Sequence, residues 1–174
     1  QRTHQRSGRS SCSKINNNTL NKTDYFMSQS RVPQAPYAFR HRQAVQLRFN
    51  DIDMLGHLNN SVYIQLMDLG KANYFHQFID GRLDHDKLAI VVANINCDFH
   101  APAYLEERLE VLTAVETISE KSLRLEQRVV NADTGEVKCR AITTMVNIDP
   151  KTGRAVDITP EWRGRLSDYE QRQL

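Results

Sequence analysis

Cysteine is scarce in this chain: Cys12, Cys97 and Cys139 are its three, scattered along 174 residues. That count excludes a disulfide framework, and the lack of any CxxC pair argues against a zinc site. A reducing, cytoplasmic setting is the natural expectation. Long hydrophobic runs are missing too. The longest nearly continuous one, Leu88 to Ala93, falls far short of the roughly 20 residues that a membrane-spanning helix needs. A soluble protein with no membrane partner is expected. Charge of one sign is also in short supply. Lys and Arg total 23 against 21 Asp and Glu, and residues 1–26 hold five of the bases and one acid, so residues 27–174 carry 18 against 20. A nucleic-acid binder concentrates Lys and Arg on its folded part, interleaved with exposed aromatics. That pattern is absent, and no nucleic-acid partner is expected.

The N-terminus has no apolar segment of signal-peptide type, although its first 23 residues are Arg/Ser-rich and free of acids, as in organellar transit peptides. The low-complexity stretch NNNTLN, and Met27 as a candidate natural start, favour a disordered extension over residues 1–36. Residues 37–174 then form one folded domain, and 40% hydrophobic content suffices for a single core.

Regular pattern begins at Val45. Val45, Leu47 and Phe49 alternate with Gln46 and Arg48, the period of a half-buried strand. A polar loop, FNDIDMLGHLNN, follows. Residues 61–80 read as a helix capped by Asn59 or Asn60 and closed by Gly81. It is apolar nearly all round, so other elements must wrap it. Gly70 in its middle costs about 1 kcal/mol relative to alanine, tolerable where a neighbour approaches closely. Alternation then marks strands over 89–99, 107–118, 122–130 and 136–148, joined by links too short for parallel crossovers. A short charged helix is expected within 161–174. The fold class is α+β, a single antiparallel sheet of about five strands curled around one long central helix. Such a sheet leaves part of the helix open, and a homo-oligomer, dimer or tetramer, is expected.

The densest polar cluster lies between the first strand and the helix: Asn50, Asp51, Asp53, His57, Asn59 and Asn60. A loop entering a helix N-terminus presents free N–H groups and the positive end of the helix dipole, which stabilise an oxygen acquiring negative charge. One such donor aimed at an oxyanion is worth about 3 kcal/mol of barrier. Acyl transfer is therefore reasonable chemistry at this place.

The run FNDIDMLGHLNNSVYIQLMD resembles the active-site segment of hotdog-fold thioesterases of the 4-hydroxybenzoyl-CoA and acyl-ACP thioesterase group. FHAPAYLEERLEV and TGRAVDITPEW look like the second half of that family, and the resemblance spans about residues 40–165. It implies hydrolysis of an acyl-CoA or acyl-ACP thioester, a role in fatty acid metabolism, a dimer or a dimer of dimers, and no cofactor or metal. It assigns Asp53 as nucleophile or general base. The Asn60 N–H would polarise the carbonyl, His57 and Asn59 would orient water or substrate, and Asp68 would face the partner's site. Met54, Leu55, Tyr63 and Met67 are candidates for the acyl pocket, and Lys121 and Arg124 for contact with CoA.

Each residue also has a plainer reading. Asp51 can simply accept loop N–H groups, Asn59 and Asn60 can be helix caps, and Asp68 can pair with Lys71 at i,i+3. Cys97 alternates with Ile95 and Phe99 on an apolar face, which suits a buried structural thiol better than a nucleophile. His57 with Asp51 and Asp53 lacks a further ligand for a metal. Two rival functions share the fold. A hydroxyacyl thioester dehydratase usually shows a Pro/Gly-rich segment after the histidine, where Leu58-Asn59-Asn60 stands here, and a Glu on the helix, where Asp68 stands. A non-catalytic acyl-thioester sensor would have no need of Asp53. The net charge of residues 27–174 offers acidic ACP no general attraction, which favours CoA.

Overall fold

The computed structural model describes residues 31–78 and 89–174. Five strands form one antiparallel sheet: β1 (His41–Val45), β2 (Ile90–Phe99), β3 (Leu109–Ile118), β4 (Ser122–Asn131) and β5 (Val137–Asn147), in the order β1-β3-β4-β5-β2. One long helix, α1 (Asn60–His76), lies against the concave face, and α2 (Pro160–Glu170) closes the far end. This is the α+β hotdog arrangement expected from the sequence.

Two boundaries differ from expectation. The first strand occupies His41–Val45, and the alternation through Leu47 and Phe49 does not continue it. Phe49–Asp51 instead forms a 3-10 turn, because the Asp51 carboxylate accepts the Arg48 backbone N–H at 2.7 Å and the Arg48 guanidinium Nη2 at 2.9 Å. That turn swings Phe49 out to 82% exposure. The long helix ends at His76, and its expected closure at Gly81 falls outside the described residues.

As expected of a sheet this size, α1 is not wrapped on every side. Val62, Tyr63, Leu66, Met67, Gly70, Lys71, Tyr74 and Phe75 are buried, a 3.6-period stripe that faces the sheet. Ile64 and Leu69 are exposed on the opposite side. The sheet covers about half the helix, so an apolar strip stays open. On the covered side contact is close at Gly70, where a Cβ would lie 2.6 Å from Val111 Cγ1 and 3.0 Å from Val111 Cβ. Gly70→Ala gains helix propensity but must push α1 off β3, and a net loss of about 1–3 kcal/mol is expected. Chemical denaturation checks this; a variant as stable as the parent would refute the close approach.

Two apolar clusters sit under the helix. One joins Leu58, Val62, Tyr63 and Met67 to Val111, Val129, Cys139 and Ala141, and the other joins Tyr74 and Phe75 to Leu125, Met145, Trp162 and Leu166. Cys97 packs against the first cluster and Cys139 belongs to it; burial pushes both thiols up from their ordinary range, which suits structural groups. Cys12 lies outside the described residues.

The outer face of the sheet carries a strap. Most of the extension expected to be disordered, residues 1–36, lies outside the described residues, but residues 31–36 are described and continue into 37–40 across β3 and β4. Val32 and Phe39 pack on Leu112, Val130 and Val137. The Tyr37 hydroxyl donates to Glu126 Oε2 at 2.8 Å, Arg128 stacks over Phe39, and its Nη2 donates to the Pro33 carbonyl at 2.6 Å.

Candidate functional site

The loop between β1 and α1 is a small closed structure. Ile52 bridges to Leu58, and between them the Asp53 N–H donates to the His57 carbonyl at 2.8 Å while the Gly56 N–H returns to the Asp53 carbonyl at 3.0 Å. Gly56 sits at φ 79°, a conformation that suits glycine. Asp53 also shapes this loop through its side chain: Oδ1 accepts the N–H groups of Leu55 at 2.8 Å and His57 at 3.4 Å. Oδ2 accepts nothing from the described residues, leaving one carboxylate oxygen for chemistry.

Asp51 has a different task. It is 3% exposed, and hydrogen bonds from the Arg48 guanidinium and N–H hold its carboxyl below the usual range. Its carbonyl accepts the Asn59 N–H at 2.9 Å, so it ties the loop to the helix entrance. Asn59 is the helix cap: its Oδ1 accepts from the Ser61 N–H at 2.9 Å and the Ser61 hydroxyl at 2.8 Å. Asn60 is the first helical residue. Its N–H has no intrahelical acceptor, because no helical carbonyl precedes it.

A pocket of about 320 Å³ opens here. Asp53, Leu55, His57, Leu58, Asn60 and Tyr63 line one wall; Phe99, His100, Ala101 and Pro102 line the other. Tyr63 and Phe99 meet edge to face with ring centres 5.4 Å apart, and His57 packs likewise on Tyr104 at 5.3 Å. Burial raises the Tyr63 phenol above its ordinary value, so it stays protonated, while burial is the main cause that lowers His100. The pocket thus joins one acid, the first residue of the helix and an aromatic lining.

Other candidates are placed elsewhere. Met54 is 98% exposed at the loop tip, and Met67 is buried behind Tyr63 in the core, because the helical stripe turns it toward β3 and β4. Asp68 lies on the open side of α1, 58% exposed at its side chain, and pairs with Lys71 at 2.6 Å. Lys121 pairs loosely with Asp157 at 3.9 Å. Arg124 bonds Glu116 at 2.7 Å on the outer sheet face, because the even-numbered residues of β4 point away from the helix. None of these five lines the pocket. Among the described residues no group of three His, Cys, Asp or Glu side chains could hold a metal ion. No described helix is long and apolar enough to cross a membrane.

The second wall was not anticipated as part of the site. Phe99 ends β2 and His100 to Pro102 follow it directly, and the one local signal was the strand running into Pro102, which cannot donate to a ladder.

Comparison with known proteins points the same way as the geometry. The family described as the thioesterase-like superfamily matches residues 47–166. The long-chain acyl-CoA thioesterase FadM of Escherichia coli is 27% identical over 123 residues, spanning 70% of this chain and 93% of that protein. The acyl-CoA thioester hydrolase YbgC of Escherichia coli is 27% identical over 111 residues, 63% of this chain and 82% of its own. Among solved structures, a thioesterase from Thermus thermophilus, crystallised with coenzyme A and Zn, superimposes with a TM-score of 0.68 at 29% identity, covering 76% of this chain and 96% of its own.

Proposed function

Because this chain belongs to the thioesterase-like superfamily, we propose that it hydrolyses acyl-CoA thioesters to a free carboxylic acid and CoA, with Asp53 as the reacting carboxylate. The observation that carries the reading is the shared pocket: Asp53 and the first N–H-bearing residue of α1, Asn60, line one cavity. A thioester carbonyl placed between them has a carboxylate oxygen on one side and a polarising donor on the other.

Two routes use these groups. In one, Asp53 Oδ2 attacks the carbonyl carbon, the C–S bond breaks, CoA leaves as thiolate, and water then hydrolyses the mixed anhydride. In the other, Asp53 takes a proton from a water that attacks the carbonyl; the C–S bond breaks and the departing sulfur accepts a proton. Both develop negative charge on the carbonyl oxygen, which the Asn60 N–H stabilises. His57 lies against this path and orients water or the thioester; Asn59 acts through the helix cap. Leu55 and Tyr63 contact the acyl group. FadM and YbgC carry names for acyl-CoA hydrolysis, and the net charge of residues 27–174, 18 bases against 20 acids, favours CoA over an acidic carrier protein.

The working unit is a homodimer. β2 stands at the edge of the sheet with no described strand beyond it, and Val91, Val92 and Phe99 are exposed along it. An apolar free edge invites pairing with a second copy. Asp68, on the open side of α1, then faces the neighbouring protomer's site. The free thiols at Cys97 and Cys139 suit a cytoplasmic enzyme.

Incubating the protein with a panel of acyl-CoAs and titrating released thiol tests the reading. Thiol release above the blank for some chain length is expected. Hydration of enoyl-CoA with no thiol release would replace the thioesterase by a dehydratase, and binding without turnover would leave a sensor.

A further inference from the structure

An ammonium group is buried behind the second wall of the pocket. Lys138, near the start of β5, is 2% exposed. Its Nζ donates to the Pro102 carbonyl at 2.9 Å and to Glu107 Oε1 at 2.7 Å, and pairs with Glu136 Oε2 at 2.7 Å. Its backbone carbonyl accepts the N–H groups of His100 at 2.8 Å and Ala101 at 3.2 Å. One residue thus grips three consecutive members of the wall. The far end of that wall is fastened to the first: the Leu58 N–H donates to the Ala103 carbonyl at 2.8 Å.

Stability is a poor explanation for this arrangement. Desolvating an ammonium and two carboxylates offsets most of their attraction, and apolar side chains of similar volume usually do as well. What the charged trio adds is direction. The Lys138 side chain runs to a single carbonyl, Pro102, and Glu107 is itself fixed by Asn131 Nδ2 at 3.0 Å and by the Tyr104 N–H at 2.9 Å.

Resting on the thioester reading above, we infer that Lys138 is a positioning residue: it sets the spacing between the wall carrying Phe99 to Pro102 and the wall carrying Asp53 and Asn60. The ammonium touches neither substrate nor reacting atoms. Its effect on the wall passes through the Pro102 carbonyl, while the Lys138 main chain holds the N–H groups of His100 and Ala101.

Lys138→Met in the full chain, studied below its melting temperature, tests this with two readouts. Acyl-CoA kinetics should show kcat lowered roughly 10- to 100-fold with KM little changed, as expected when reacting groups are displaced by about an ångström. Amide hydrogen exchange should be faster in peptides covering 99–103 and 57–59 than in the parent. A variant that melts earlier yet keeps its kcat and its exchange at 99–103 would show the ammonium to be structural only, and overturns the inference. Should the methionine variant fail to fold, Glu136→Ala removes a single contact; a smaller kcat loss with faster exchange at 99–103 supports the inference, and unchanged values overturn it. If the parent protein releases no thiol from any acyl-CoA, the proposed function fails by itself. Exchange at 99–103 still decides whether Lys138 holds the wall.

Discussion

Asp53→Asn is expected to lower kcat for acyl-CoA hydrolysis by about 10²–10⁴-fold, the usual contribution of a positioned base, while leaving the melting temperature close to that of the parent. The two halves of that expectation come from different oxygens. Oδ1 accepts the Leu55 and His57 N–H groups and shapes the loop. An asparagine carbonyl accepts the same two bonds, so the loop survives. Oδ2, the oxygen left over for chemistry, becomes an amide nitrogen that can neither attack a carbonyl nor take a proton from water. Asp53→Ala makes a useful contrast, because it removes both functions and should cost loop order as well as turnover. Thiol-release kinetics with a thermal melt on each variant separate the effects. Asparagine-variant activity within tenfold of the parent would move the chemistry away from Asp53.

The second large effect is on stability. Glu126 is 2% exposed on the outer sheet face and accepts from Arg140 Nε at 2.8 Å, Arg128 Nη2 at 2.7 Å and the Tyr37 hydroxyl at 2.8 Å. Burial by itself raises this carboxyl, but the bonds from Arg140, Tyr37 and Arg128 outweigh it and hold the group below its ordinary value. Glu126→Gln leaves Arg128, 11% exposed at its side chain, without its anion, and Arg140, 16% exposed, with only the distant Asp98 carboxylate at 3.9 Å. Stranding buried charge costs about 3–5 kcal/mol, and partial exposure places this case at the lower end, about 3 kcal/mol. Urea denaturation measures it; a loss below about 1 kcal/mol, the range of surface pairs, would show that solvent already screens the cluster.

Acidity should reproduce part of that loss. A carboxyl whose folded value is depressed contributes its stability in full above the ordinary value, 4.5 for a glutamate, and loses it as pH falls toward the lowered folded value. Asp51 behaves in the same sense from its own ordinary value of 3.8. Stability should therefore be flat above about pH 5 and fall steeply below the glutamate's ordinary value of 4.5, and Glu126→Gln should flatten the fall.

The first wall of the pocket was readable from sequence because it is local. Asp53 to Tyr63 are consecutive positions, and a strand, a polar loop and a capped helix place them with little help from the rest of the chain. The second wall depends on partners far away. Phe99 to Pro102 reach the pocket because β2 pairs with β5 in the register Cys97 to Ala141, and because Lys138, distant in sequence, holds their backbone. No periodicity carries that information. The strap over residues 31–40 escaped for a similar reason: it adds no strand to the sheet and is held by the Tyr37 hydroxyl, Arg128 and a few apolar contacts. At Phe49 the alternation itself misled, since a buried Asp51 bonding back to Arg48 overrides a strand period that Val45 and Leu47 begin. The apolar count of α1 was right, and its open side, occupied by Ile64 and Leu69, was legible too, because it follows from how far five strands can curl.

The strap also decides which side of the molecule its leading end occupies. Val32 rests on Leu112, Val130 and Val137, and these residues alternate along their strands with Val111 and Val129, which face α1. The strap therefore lies at the back of the sheet, on the face away from α1, whose Asn60 and Tyr63 line the pocket. A fluorophore or an affinity handle placed on the strap itself, at exposed Arg31, would leave the α1 face of the sheet unobstructed.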